Sequence, residues 1–260
     1  PICFGEATKF SQFLLDTDKT YQVTAKFGVR TTTSDSEGEL ISEKPVNFSQ
    51  AELEQALHAF RGDIMQVPTM FSALKYQGQP LYRYARQGIE VPREARPISI
   101  FRFELLALQA DSAASTASAD FIVHCSKGTY IRTLIDDLGE KLGCGAHVAK
   151  LHRTQVGPFQ AAQMISPEQL TALAEQCHHS GDFTALDELL LPMDAGIASM
   201  AKIQLTATEQ HRLQHGQSCQ VDMADIAAIK LHGPQDTFFG IGQIEQGVLS
   251  SRRLLNTAQL

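Results

Sequence analysis

No stretch of the 260 residues is apolar for long enough to span a bilayer, and the opening Pro1-Ile2-Cys3-Phe4-Gly5-Glu6 lacks the charged, apolar and small-residue sections of a secretory signal. The expected compartment is therefore the cytoplasm, with no membrane partner. No CxxC pair occurs, and the cysteines are five in number, Cys3, Cys125, Cys144, Cys177 and Cys219. An odd set without paired spacing argues against both a disulfide framework and a zinc ribbon. Reduced, mostly buried thiols are expected, although Cys144-Gly145-Ala146-His147 and Cys177-His178-His179 do place soft ligands close together. Internal repeats are absent, and 43% hydrophobic content fits no disorder class. The length suits one large domain plus a small one.

Positive charge is in short supply too, since 22 Lys and Arg against 29 Asp and Glu leave a formal −7. Spread evenly, that charge would repel a polyanion. It is not spread evenly. Residues 75–102 hold Lys75, Arg83, Arg86, Arg93, Arg96 and Arg102 against Glu90 and Glu94, whereas 154–201 carry six acidic residues and no Lys or Arg. The basic stretch reads either as a solvated face or as a footprint for phosphates.

Local patterns predict a mixed α/β protein. Ser49 and Glu52 form a capping box ahead of Leu53, Ala56, Leu57 and Phe60, which predicts an amphipathic helix over 50–61. Tyr21, Val23, Ala25 and Phe27 alternate with polar residues, as in a strand with one covered face toward which Tyr21 points. Strands are also predicted at 98–108 and 119–126, joined by a mobile small-residue loop over 111–118. Ile131, Leu134, Ile135, Leu138 and Leu142 predict a helix closed by Gly143. Lys127-Gly128-Thr129-Tyr130 then feeds its N-terminus, a place that suits an anion. Ser166-Pro167-Glu168 opens a helix running to about Glu175, and a boundary falls near 200. Beyond it, Thr206 and Glu209 cap a short helix stopped by Gly216. Strands at 226–231 and 237–244 and the turn Gln246-Gly247 then suggest a small β-rich domain.

Seven blocks in order carry a stronger signal: Cys3-Phe4-Gly5-Glu6-Ala7-Thr8-Lys9-Phe10; Asp18-Lys19-Thr20-Tyr21; Thr31-Thr32-Thr33-Ser34-Asp35 ending at Gly38; Val67-Pro68 through Ser72-Ala73-Leu74-Lys75; Tyr84-Ala85-Arg86-Gln87-Gly88; Ser126-Lys127-Gly128-Thr129-Tyr130-Ile131-Arg132; and Leu151-His152-Arg153-Thr154. In order and spacing they resemble the bacterial TruB-type tRNA pseudouridine(55) synthases. Leu213, Gly216-Gln217, Phe239-Gly240-Ile241-Gly242 and Arg252-Arg253-Leu254 resemble a PUA domain, a small pseudobarrel that holds RNA, although Gly240 and Gly242 read equally as packing glycines.

The resemblance implies an α/β (α+β) fold: a catalytic domain over 1–199 with a mixed, mostly antiparallel sheet, and a PUA-like domain over 200–260. It implies an isomerase that flips a T-loop uridine out of its stack and rejoins the uracil through C5. The implied partner is the tRNA T-arm stem-loop, the implied state a monomer, and no metal or other cofactor is implied. By this resemblance Tyr21 is the surface that receives the flipped base, and Tyr130 and Leu151 match positions lining the same pocket, with core packing as the alternative for those two. Arg132 matches the arginine that steadies the family's catalytic aspartate. Asp35 matches a second carboxylate of that network, or is simply a turn residue in Ser34-Asp35-Ser36-Glu37-Gly38. Lys9, Lys75, Arg83, Arg86, Arg93, Arg96, Lys127 and Arg153 become candidate RNA contacts, the segment 75–102 corresponding to a thumb-like element.

The family's catalytic aspartate belongs to a Gly-x-Leu-Asp-Pro segment before the point matching Pro1, which these residues do not include. They are therefore expected not to turn over alone, with Arg132 short of its partner unless Asp35 compensates. Thr32 and His152 depart from the aspartate and arginine that relatives carry there. Two rival classes stay open: a tRNA-binding protein or folding chaperone without chemistry, and a nucleotide or sugar hydrolase using Asp35 with Asp136-Asp137.

Overall fold

Tyr21, Val23, Ala25 and Phe27 are all buried along strand β1 (Lys19–Phe27), and the polar residues between them face away. The computed structural model describes residues 1–111 and 115–256, which fall into two compact units: Thr17–Val156, and Pro1–Asp16 with Gly157–Leu260.

In the first unit, Val29–Thr31 (β2) and Leu40–Glu43 (β3) form a small hairpin. Gly62–Gln66 (β4), Arg96–Asp111 (β5), Thr116–Cys125 (β6) and Ala146–Val156 (β7) join β1 in an antiparallel sheet of order β7-β1-β6-β5-β4. Register carries the alternation across the sheet. Tyr21 and Val23 stand opposite Val123 and Phe121 on one side, and opposite Arg153 and Leu151 on the other. One face is covered by two helices, Gln50–His58 (α1) and Ile131–Lys141 (α2). Leu53, Ala56 and Leu57 from α1 and Ile131, Leu134, Ile135 and Leu138 from α2 pack on Phe27, Phe103 and Phe121. Each stripe has the i, i+3, i+4 spacing that burying one helical face demands.

The path of the chain fixes where α2 begins. Strand β6 ends at Cys125 opposite Lys19, so the turn after it starts α2 at the Tyr21 end of the sheet. The helix then runs back to the other end. There the Gly139 backbone lies against Gly145 and Ala146 with no room for a Cβ, and Gly145 N–H donates to the Gly139 carbonyl at 2.9 Å.

The second unit holds the helices Pro167–Ser180 (α3) and Ala207–Gln214 (α4), both with complete capping boxes. Lys202–Gln204 (β8), Cys219–Gln220 (β9), Ile226–His232 (β10), Phe238–Glu245 (β11) and Val248–Leu254 (β12) form a sheet of order β8-β10-β11-β12-β9. Its core is Leu205, Leu213, Ile229, Leu231, Phe239, Ile244 and Leu249. Gly240 and Gly242 lie where a Cβ would strike the β12 backbone, so both work as packing glycines.

Three local expectations are corrected and one element is new. The helix expected over 50–61 ends at His58, because Ala59, Phe60 and Arg61 turn away and the Arg61 guanidinium seals on the Phe103 carbonyl at 2.7 and 3.0 Å. The α3 helix continues five residues past Glu175, to Ser180, since nothing breaks it before Gly181 at φ 72°. The loop expected over 111–118 is shortened, because Asp111↔Thr116 and Ala110↔Ala117 keep the ladder paired; its centre, 112–114, lies outside the described residues. The β2–β3 hairpin was not expected at all. Among the described residues no helix is long and apolar enough to cross a membrane.

Candidate active site

Arg132 sits in the first turn of α2, and both ends of its fork are engaged. Nη1 donates to Asp35 Oδ2 at 2.9 Å and Nη2 to the Phe71 carbonyl at 2.8 Å. Of the two alternatives open for Arg132, the one found is that in which Asp35 partners the guanidinium. Asp35 is both things the sequence offered. Its Oδ1 accepts the Thr33 hydroxyl and the Glu37 N–H, as a turn residue does, while Oδ2 faces Arg132. Burial pushes this carboxyl up, but the bonds from Thr33, Arg132 and Glu37 outweigh it, and the net direction is below the ordinary carboxylate range.

Tyr21 is 8% exposed and lies directly across from Arg153. The Arg153 guanidinium spans its ring at 5.3 Å and donates from Nε to the phenol oxygen at 3.2 Å. These contacts fix the ring in one plane while leaving Arg153 itself solvent-facing. Leu151, one pair further along the same face, is 46% exposed, so core packing does not account for it. Asp35 bridges to Val148, which pairs with Ala25. Tyr21, Leu151 and Arg153 therefore share one face near the start of β1, while Asp35 bridges the sheet level with Ala25, further along the strand. Ala25 and Tyr21 are four residues apart, about 13 Å along the strand.

Tyr130 is half-buried and caps α2 through its backbone. Gln66, 3% exposed, accepts the Tyr130 N–H at 2.8 Å and donates to its carbonyl at 3.1 Å. The first helical donor expected to greet an anion is thereby already satisfied.

The basic candidates separate by what they already hold. Lys75 is exposed on the two-residue strand Lys75–Tyr76, Arg83 on the short helix Leu81–Ala85, and Arg96 at the start of β5. Arg86 is exposed with its guanidinium 5.4 Å from the Tyr82 ring centre. Arg93 is locked, donating to the Pro68 carbonyl at 3.1 Å and to Glu90 at 2.8 Å. Lys127 is exposed in the turn before α2. Lys9 belongs to the second unit, bonded to Glu6 at 2.7 Å and the Leu254 carbonyl at 3.0 Å.

Sequence reasoning missed Gln66, the Phe71 carbonyl, Arg30 and Ser34. The one available signal was that Asp136 follows Arg132 at i+4 and so shares its helix face. Asp136 accepts Arg30 Nε at 2.8 Å and Nη2 at 3.1 Å, which removes it from any carboxylate pair of the hydrolase type. Soft-ligand candidates are engaged elsewhere. His147 Nδ1 lies 2.9 Å from the Val29 carbonyl beside buried Cys144, and His179 Nδ1 lies 2.9 Å from the Glu175 carbonyl. Burial pushes the Cys125 thiol up to about 11, so it is not a nucleophile near neutral pH. His152 pairs with Gln22 on the opposite face from Tyr21, and Thr32 accepts the Glu39 N–H at 3.0 Å; both departures lie outside the Arg132–Asp35 pair.

Solved structures with this fold include a chain of a Cbf5-Nop10-Gar1 complex, with TM-score 0.72 and 19% identity over 98% of this chain and 71% of that one. An H/ACA RNP bound to a substrate RNA containing 2'-deoxyuridine gives TM-score 0.70 and 17% identity over 97% of this chain and 70% of that one. Among curated proteins, tRNA pseudouridine synthase B of Tolumonas auensis is 52% identical, covering 98% of this chain and 78% of that protein. Its counterpart in Shewanella putrefaciens is 51% identical over 98% and 80%. Residues 1–131 match the N-terminal domain of the TruB family pseudouridylate synthases, 132–198 the tRNA pseudouridylate synthase B C-terminal domain, and 201–255 the C-terminal part of pseudouridine synthase II TruB. With the family's domains matched in sequence from one end to the other, on a sheet and site laid out as above, the chain belongs to the TruB family of pseudouridylate synthases.

Proposed function

We propose that this chain belongs to an isomerase that converts the uridine at position 55, in the T-loop of tRNA, to pseudouridine. In that reaction the N1–C1′ bond breaks, uracil turns over and C5 joins C1′. The C5 proton leaves and N1 takes one up, so the composition of the base is unchanged. The stacked uridine must first be everted, and the Tyr21 ring, held by Arg153, is the surface that receives it. In this reading Leu151 and Tyr130, which match pocket positions by resemblance, line the space around that surface. Arg132, aimed by Asp35 and Phe71, steadies the carboxylate that attacks the substrate. The observation that supports this reading is the Arg132–Asp35 ion pair in the first turn of α2, with the Tyr21 ring held under Arg153 on the sheet that α2 covers.

Residues 1–199 are the catalytic part in this reading, and 200–260 a PUA-like RNA holder. Lys75, Arg83, Arg86, Arg93 and Arg96 are the candidate contacts to the T-arm phosphates, with Lys9, Lys127 and Arg153 on the active-site side. The protein acts as a monomer in the cytoplasm, where its substrate is. The test uses the product of the complete reading frame with a tRNA transcript, mapping pseudouridine by chemical modification and primer extension. The expected product is one pseudouridine at the T-loop position, and none when that uridine is replaced by cytidine. Tight T-arm binding with no isomerisation would instead support the non-catalytic chaperone.

A further inference from the structure

Helix α2 grips the turn 31–35 at two heights. Arg132 holds Asp35, and one helical turn later Asp136 takes the Arg30 fork at 2.8 and 3.1 Å and faces the Ser34 hydroxyl at 3.2 Å. Ser34 is the residue on which the turn pivots. It is 8% exposed and has φ 57°, a left-handed conformation that a serine seldom adopts without being held there. Its N–H donates to the Thr31 carbonyl at 3.1 Å, and its carbonyl accepts the Val148 N–H at 3.0 Å. The next residue is Asp35, so the backbone angle at Ser34 sets where the Asp35 carboxylate points. Arg30 is braced in turn by Glu140 at 3.4 Å and packs beside Gly145, which has no side chain to displace it.

We infer that Asp136 is a positioning residue for the isomerisation, acting through Ser34 and Arg30 to hold Asp35, and through Asp35 the Arg132 guanidinium, in register with the substrate. This rests on the pocket reading above. Nothing in Asp136 touches the base or the ribose. Its effect is on aim, and misplacing a reacting group by about 1 Å can cost on the order of 10²-fold in rate.

The experiment measures single-turnover rate, T-arm stem-loop Kd and melting temperature for the complete protein and five variants: Asp136→Asn, Ser34→Ala, Asp35→Asn, the Asp35→Asn/Asp136→Asn double, and Arg132→Ala. Asp136→Asn and Ser34→Ala are expected to lower the rate by roughly 10- to 100-fold with Kd within about twofold. The double variant should be no slower than Asp35→Asn alone, because both changes act through the same carboxylate. Multiplying effects in the double variant would overturn the inference, since a general loss of stability adds independently. Normal rates in both Asp136→Asn and Ser34→Ala, with Arg132→Ala impaired, would overturn it and leave the pocket standing. Normal turnover in Arg132→Ala would remove the pocket reading itself. Ser34→Ala deletes one oxygen, which keeps the test decisive if Asp136→Asn melts early.

Discussion

At the scale of single residues, the Asp35 carboxyl is the group whose chemistry the surroundings change most usefully. Burial alone would raise its pKa, but three hydrogen bonds, from Thr33, Arg132 and the Glu37 N–H, bring it below the ordinary range. A carboxyl with a folded-state pKa below its unfolded value of about 3.9 stabilises the fold above that pH, and the contribution disappears as pH falls through the lower, folded value. Asp35→Asn is therefore expected to be less stable than the parent at pH 7 and to lose less further stability between pH 4 and 2, as read by urea unfolding at each pH. Parallel acid losses in the two proteins would contradict the assignment. The sequence left Asp35 divided between turn residue and charge partner, and both descriptions hold at once, on different oxygens. Leu151 was ambiguous for a different reason. Alternation assigns a residue to a face but does not say where that face runs out of helix to cover it.

Among the elements, α2 does the most positioning, and its sequence announced it. The stripe Ile131, Leu134, Ile135, Leu138 needs one buried face, and Gly143 ends the helix after Leu142. The close approach of Gly139 to Gly145 and Ala146 seats the far end of α2 on β7, and with it the direction of Arg132. Gly139→Ala is expected to cost about 1–3 kcal/mol in urea unfolding through overpacking, although alanine is the better helix former. A neutral or stabilising result would mean that the two backbones do not meet there. What could not be read is equally specific. The Gln66 clasp on Tyr130 joins residues 64 apart, and the β2–β3 hairpin is too short to show a period. Such contacts leave no local pattern, because they depend on which strands become neighbours. Gln66→Ala should release the Tyr130 backbone and fray the first turn of α2, detectable as faster amide exchange at 131–133; unchanged exchange would make the clasp incidental.

For the whole molecule, the question is how a chain of formal charge −7 meets RNA. Segregation answers it: Lys75, Arg83, Arg86 and Arg96 are exposed within one stretch of the first unit, while the acidic residues of 154–201 belong to the second. If about five phosphates are neutralised, T-arm affinity should fall by roughly 10²- to 10³-fold between 50 and 200 mM salt, and Arg83→Ala with Arg86→Ala should flatten that slope by about two contacts. A slope unchanged by that pair would place the footprint elsewhere. The sequence separated the basic and acidic stretches, but it could not show that Arg93 and Lys9 also hold protein partners.

The central claim is that Tyr21 and Arg132 serve chemistry on an everted uridine more than they serve binding. Comparing Tyr21→Ala and Arg132→Ala with the unaltered protein, in the product of the complete reading frame, tests it directly. The account predicts T-arm stem-loop binding within about threefold of the parent and a pseudouridine formation rate lower by about 100-fold or more. Near-normal turnover in either variant contradicts it.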